Sequence, residues 1–168
     1  ISPPPSPPPP NPPPPPPTTP CGYKVSSAGC QAAPGCGYAK FWINDVQISA
    51  PNGRGLNVVV VDPSTFAVVE TRSFDTYRWG WAAKAFYEFL AATAEERPNF
   101  TVLVAVKDEA QNRAGWGGSQ NVYAAMRKFL GAGSYAYPGP RCFRCSYALV
   151  ARIDKSGGDL LISREATD

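Results

Sequence analysis

From residue 40 onward the chain alternates short apolar and polar runs broken by turn residues, and twice gives way to a helical stripe. Lys40 to Ser49 sets Phe41, Ile43 and Asp45 on one side and Trp42, Asn44, Val46 and Ile48 on the other, which predicts a strand. Val58 to Val61 is a continuous β-branched run, as expected of a strand covered on both faces. Asp62-Pro63-Ser64-Thr65 follows as a turn: proline suits its second position, and the Asp62 carboxylate can bond the backbone ahead. Phe66 to Phe74 returns as a second strand, so a hairpin is predicted here. Trp81 to Ala94 carries Ala82, Ala85, Phe86, Phe89 and Leu90 at helical spacing, and Pro98 ends it. Thr101 to Val106 is a further β run. Ser119 to Leu130 predicts a second helix with Val122, Met126, Phe129 and Leu130 inward and Gly131 as its stop. Tyr147 to Ile153 and Asp159 to Ile162, joined by Lys155-Ser156-Gly157-Gly158, complete the strands. The order β-β-β-α-β-α-β-β implies an α+β fold: a compact mixed sheet flanked by two helices.

The N-terminal segment breaks this pattern altogether. Residues 1–20 hold fourteen of the chain's twenty prolines and form a proline-rich arm, whereas residues 21–168 have the composition and size of one globular domain. Proline lacks an amide hydrogen and has a fixed φ, so such a run forms neither helix nor ladder. The expected conformation is a polyproline II rod of roughly 50–60 Å. Ser2 precedes three prolines, Ser6 four and Asn11 six, and serine followed by proline blocks resembles the hydroxyproline-rich glycoproteins of plant and green-algal cell walls. That resemblance implies hydroxylation and O-glycosylation at Pro3, Pro4, Pro5, Pro7, Pro8, Pro9, Pro10, Pro12, Pro13, Pro14, Pro15, Pro16 and Pro17. The plainer reading of the arm is a spacer or a ligand for proline-binding modules.

Cys21, Cys30, Cys36, Cys142 and Cys145 cluster at the two ends of the globular part, and histidine is absent. Two disulfides and one leftover thiol, which would be free to join two chains, is the expectation for an oxidising compartment. Four thiolates from Cys30, Cys36, Cys142 and Cys145 would make a zinc site, but the first gap is wider than a zinc knuckle. Cys142 and Cys145 precede a predicted strand rather than a strand-to-helix turn, which argues against a redox pair. Neither metal nor cofactor is expected.

The net charge of +3 is carried by scattered lysines and arginines, without the dense basic face that nucleic acid requires. No apolar run reaches the roughly 20 residues of a membrane span. The opening Ile1-Ser2-Pro3 has no basic leader region, as in a mature secreted product. Asn99-Phe100-Thr101 is an N-glycosylation sequon just before a strand.

Five ordered segments carry a resemblance over roughly residues 40–154. They are Gly53-Arg54-Gly55-Leu56-Asn57-Val58-Val59-Val60, Ser73-Phe74-Asp75-Thr76-Tyr77, Val104-Ala105-Val106-Lys107-Asp108-Glu109, Leu130-Gly131-Ala132-Gly133-Ser134 and Arg144-Cys145-Ser146-Tyr147-Ala148-Leu149-Val150. Together they resemble the ILEI/PANDER-like domain. It occurs in interleukin-like secreted factors, in hyaluronan-related cell-surface proteins and in a glycosyltransferase stem. The resemblance implies a secreted, non-catalytic domain, and in that stem the domain binds sugar. The positions matching the sugar contacts are Arg54, Asp108 and Arg144. Carboxylates accept from vicinal hydroxyls and arginine forks donate to sugar oxygens. Each also has a plain structural reading: a tight turn with a solvated arginine, a carboxylate capping a strand end, and a surface charge or an ion-pair partner for Asp108. Cys145 and Tyr147 depart from the family's acid and tryptophan, and Gly115-Trp116-Gly117-Gly118 is an atypical insert in which Trp116 either stacks on a sugar or plugs a gap.

Without histidine no Ser-His-Asp or Cys-His arrangement exists, and adjacent Asp108 and Glu109 make a poor glycosidase pair. The chain reads as non-enzymatic. Three functions follow as expectations. The first is a secreted structural glycoprotein of a matrix, wall or fibril, assembling with further copies of itself. The second is an extracellular carbohydrate-binding module with the arm as spacer, and the third a cytokine-like ligand. Its partners would then be glycans, attached or bound.

Overall fold

The computed structural model describes residues 22–29, 37–110, 113–132 and 146–166, with backbone alone at 160 and 162–166. The proline arm, all five cysteines and Arg144 lie outside the described residues.

The strands are β1 (Tyr23–Gly29), β2 (Tyr38–Ile43), β3 (Val46–Gln47), β4 (Gly55–Val61), β5 (Val68–Phe74), β6 (Thr101–Asp108), β7 (Ser146–Arg152) and β8 (Asp159–Ala166). The helices are α1 (Trp81–Glu96) and α2 (Val122–Leu130). The fold is α+β, as the element order implied. One path of the sheet runs β3-β2-β1-β6-β4-β5, and β7 joins β6 and carries β8. Strand β4 pairs with β6 along its whole length. The other edge of β6 is shared: Thr101 to Ala105 pair antiparallel with β7, and Lys107 and Asp108 pair parallel with Ala28 and Gly29 of β1. The Ser27 hydroxyl closes this fork by donating to the Val106 carbonyl and accepting the Tyr147 amide at 3.0 Å.

Sharing one edge curls the sheet, so its middle strands are covered on both faces. Leu56, Val58, Val60, Val102, Val104 and Val106 face the helices, packing on Phe86, Leu90, Met126 and Leu130. Val59, Val61, Leu103, Ala105 and Val150 face the other way, under Phe41, Ile43 and Ala39 of β2. Every residue of β4 is buried. The unbroken valine run therefore meant what it implied: two cores, one on each side of a central strand.

Several boundaries differ from expectation for local reasons. The predicted strand over 40–49 is two strands, because Asn44 and Asp45 hold φ of 51° and 62° and form the two-residue turn of a hairpin pairing Ile43 with Val46. Positive φ at both positions is the signature of a type I′ turn, which Asn and Asp tolerate. The turn after β4 forms as expected, with the Asp62 carboxylate accepting the Ser64 amide at 2.8 Å, but it reaches through Phe66 at φ 60° and delays β5 to Val68. Helix α2 starts at Val122 rather than Ser119, since Asn121 caps it by accepting the Ala124 amide at 2.9 Å. Its C-terminus is the left-handed Gly131 at φ 65°, as predicted. Strand β1 was not predicted at all.

Candidate functional site

Strands β5 and β6 finish, and β4 begins, at one end of the sheet, and helix α1 starts there too. Three loops meet at this end. The first is Gly53-Arg54-Gly55. Gly55 takes φ 94°, and a Cβ there would overlap the Phe74 carbonyl, so only glycine lets β4 leave the turn this close to β5. At Gly53 a Cβ would come within 2.6 Å of the Ser73 hydroxyl. Beneath the turn lies Asn57, fully buried in the valine run. Its side-chain oxygen accepts the Gly53 amide at 2.9 Å, and its NH2 donates to the Gly53 carbonyl at 2.8 Å and the Gly55 carbonyl at 3.3 Å. A buried amide satisfied by the backbone of a turn fixes the shape of that turn.

The turn points Arg54 at the second loop, which follows β5. The Arg54 Nε and Nη2 donate to the two oxygens of Asp75, at 3.1 Å (Nε to Oδ1) and 2.8 Å (Nη2 to Oδ2), and the guanidinium stacks over the Tyr77 ring at 4.6 Å. Asp75 is itself held by the Arg78 amide at 3.0 Å. Nη1 is the one Arg54 guanidinium nitrogen without a hydrogen-bond partner among the described residues. The solvated arginine of the plain reading is therefore corrected to an arginine clamped on one edge and open on the other, with a third of its side-chain surface exposed.

The third element is the end of β6. Gly55 pairs with Lys107, so one step beyond the last pair Arg54 lies opposite Asp108. Asp108 is half-buried with φ 63°, a left-handed conformation that turns the chain out of the sheet. The hydrogen bonds that Arg54 donates to Asp75, then the charges of Asp75 and Asp108, raise the Arg54 pKa above its ordinary value against the opposing effect of burial. Burial would raise the Asp75 carboxyl, but the bonds from Arg54 and the Arg78 amide outweigh it and hold the group below the usual carboxylate range.

Of the three predicted contact residues, Arg54 and Asp108 come together. Arg144 precedes β7, whose first residue, Ser146, also lies at this end. Sequence reasoning assigned no role to Asn57, Asp75 or Tyr77. Asn57 carried a visible signal, a lone polar residue in a run of buried valines. Asp75 and Tyr77 carried none, since their partner is more than twenty residues away. Asn99 lies between α1 and β6 at the far end of the sheet, exposed and with φ 67°. Among the described residues no group of three histidine, cysteine, aspartate or glutamate side chains is placed to hold a metal, and no helix is long and apolar enough to cross a membrane.

The arrangement provides a fixed donor edge and a carboxylate at strand ends, which is chemistry for holding a polar ligand. The family model described as interleukin-like EMT inducer matches residues 54–155, well over half of the chain, and begins at Arg54 itself. No curated protein matches the chain.

Proposed function

We propose, for a chain that belongs to the interleukin-like EMT inducer family, a non-catalytic, secreted carbohydrate-binding module. The observation that carries this reading is the immobilised Arg54. Asp75 takes two of its guanidinium nitrogens and Tyr77 its face, so Nη1 is presented without the rotamer freedom a surface arginine ordinarily loses on binding. A neutral sugar suits this site better than a strong anion, because Asp75 and Asp108 already balance the guanidinium. Ring or acetyl oxygens would accept from Arg54 and, on the resembled pattern, from Arg144, while Asp108 would accept from vicinal hydroxyls. A glycan array tests it with the full chain and Arg54→Ala, Asp108→Ala and Arg144→Ala. Loss of a defined neutral glycan in all three is expected, and undiminished binding in all three removes the site.

The arm favours a second role that is compatible with the first. Proline blocks after serine support a structural glycoprotein of a matrix or wall, in which Pro3 to Pro17 carry O-glycans and copies assemble. Intact-mass measurement of natively secreted protein separates the two: a heterogeneous increment confined to residues 1–20 is expected, and an unmodified arm leaves only the binding module.

A further inference from the structure

A second surface at the same end of the sheet has a different chemistry. Trp79, Trp81 and Trp116 are 45%, 66% and 54% exposed, unusual for three residues of the largest apolar type. Trp79 and Trp81 flank Gly80 in sequence, and the Trp116 ring lies against that glycine so closely that a Cβ would strike the ring. Two cations accompany them: the Arg78 guanidinium sits 4.9 Å from the Trp79 ring and that of Arg113 4.5 Å from the Trp116 ring. Among the described residues neither arginine has a carboxylate partner, in contrast to Arg54, Arg72 and Arg97. Trp116 is thus only half a plug: one part seals Gly80 and the rest faces solvent.

We propose that this surface binds an acidic polysaccharide, separately from the Arg54 site. Indole faces take the C–H faces of sugar rings, and unbalanced guanidiniums take carboxylates or sulfates in bidentate fashion. A polyanionic sugar chain uses both halves of the surface at once. A neutral glycan would leave the arginines idle, as would the uncharged proline segment of a second copy, and a simple anion would leave the rings idle. The proposal does not depend on Arg54, whose charge is already balanced by Asp75.

Three of the chain's four tryptophans lie here, so intrinsic fluorescence of the intact chain reads occupancy directly. Titration with polygalacturonate is expected to give a saturable change that weakens steeply with salt, while neutral dextran gives none. Trp81→Ala should cost about tenfold in affinity, Trp81→Phe less than about twofold, and Arg113→Ala about five- to tenfold with a shallower salt slope, the scale expected for one stacked ring or one charge contact. Arg54→Ala should leave this titration unchanged. Equal binding of dextran, or affinity untouched by Trp81→Ala and Arg113→Ala, overturns the proposal. So does a response only to a peptide of residues 1–20 or to anionic phospholipid vesicles. If Arg54→Ala abolishes polygalacturonate binding while the tryptophan variants do not, the acidic glycan belongs to the Arg54 site and this surface is empty.

Discussion

Asn57 and Gly53 exchange two hydrogen bonds, the side-chain amide giving one to the Gly53 carbonyl and taking one from its N–H at 2.8 and 2.9 Å. This pair is why Arg54 has a fixed origin. Asn57→Ala would strand buried backbone groups of the turn at a cost of about 2–3 kcal/mol. It should lower the urea midpoint and, with Arg54 and Asp75 both intact, still weaken binding at the Arg54 site. A variant that loses stability but binds glycan as before would show that the turn is not what presents Arg54.

Acid should unfold the protein partly through Asp75 and Glu70. Both carboxyls are held below their ordinary values, Asp75 as described and Glu70 chiefly by its bond from Arg97. Because the folded values lie below the unfolded ones, their contribution is complete above the unfolded carboxylate value of about 4 and is lost as pH falls through the folded values. Asp75→Asn should cost about 1 kcal/mol at pH 7, the scale of a half-exposed ion pair. The difference from the parent should shrink as pH falls below about 4. Denaturant titrations between pH 2 and 7 measure both, and a constant difference across that range would contradict the assignment.

The Ser27 hydroxyl of β1 bonds both β6, at the Val106 carbonyl, and β7, at the Tyr147 amide, and so spans the fork between them. Ser27→Ala removes both bonds at once, which costs about 1–3 kcal/mol. Amide exchange at Tyr147 should accelerate well before that of Leu149 or Val150, which are paired with β6 on that edge. Uniform acceleration along β7 would mean that the variant acts only on global stability.

How much of this was legible follows from where each signal resides. Both helices were readable because their periodic stripes are local, and β4 because the four consecutive valines Val58 to Val61 leave no room for alternation. Strand β1 was not. Its sequence, Tyr-Lys-Val-Ser-Ser-Ala-Gly, is too polar to announce itself, and it is a strand because β2 and the end of β6 pair with it. The Asn44-Asp45 turn stayed hidden because Trp42, Val46 and Ile48 keep an apolar alternation going through it. At the site, Arg54 and Asp108 were reachable through resemblance, whereas the Asp75 clamp depends on a contact that only the closed fold creates.

Asn99 should carry an N-glycan when the chain passes through a eukaryotic secretory route. Its side chain is exposed while its backbone amide is tied to the Ile153 carbonyl at 2.8 Å. Asn99→Gln should remove one discrete glycan mass without moving the affinity of either candidate surface. An unchanged mass would show that the sequon is unused.

Gly22 enters β1 beside Asn44, at the pole of the sheet where Thr101 and Val61 pair, whereas Arg54 and the three exposed tryptophans occupy the opposite pole. The length of β6 keeps the two about 25 Å apart. Anything tethering the chain upstream of Gly22 therefore pulls from behind. A molecule secured that way would hold its receptive surfaces outward, like a pin with its head turned to the passing medium.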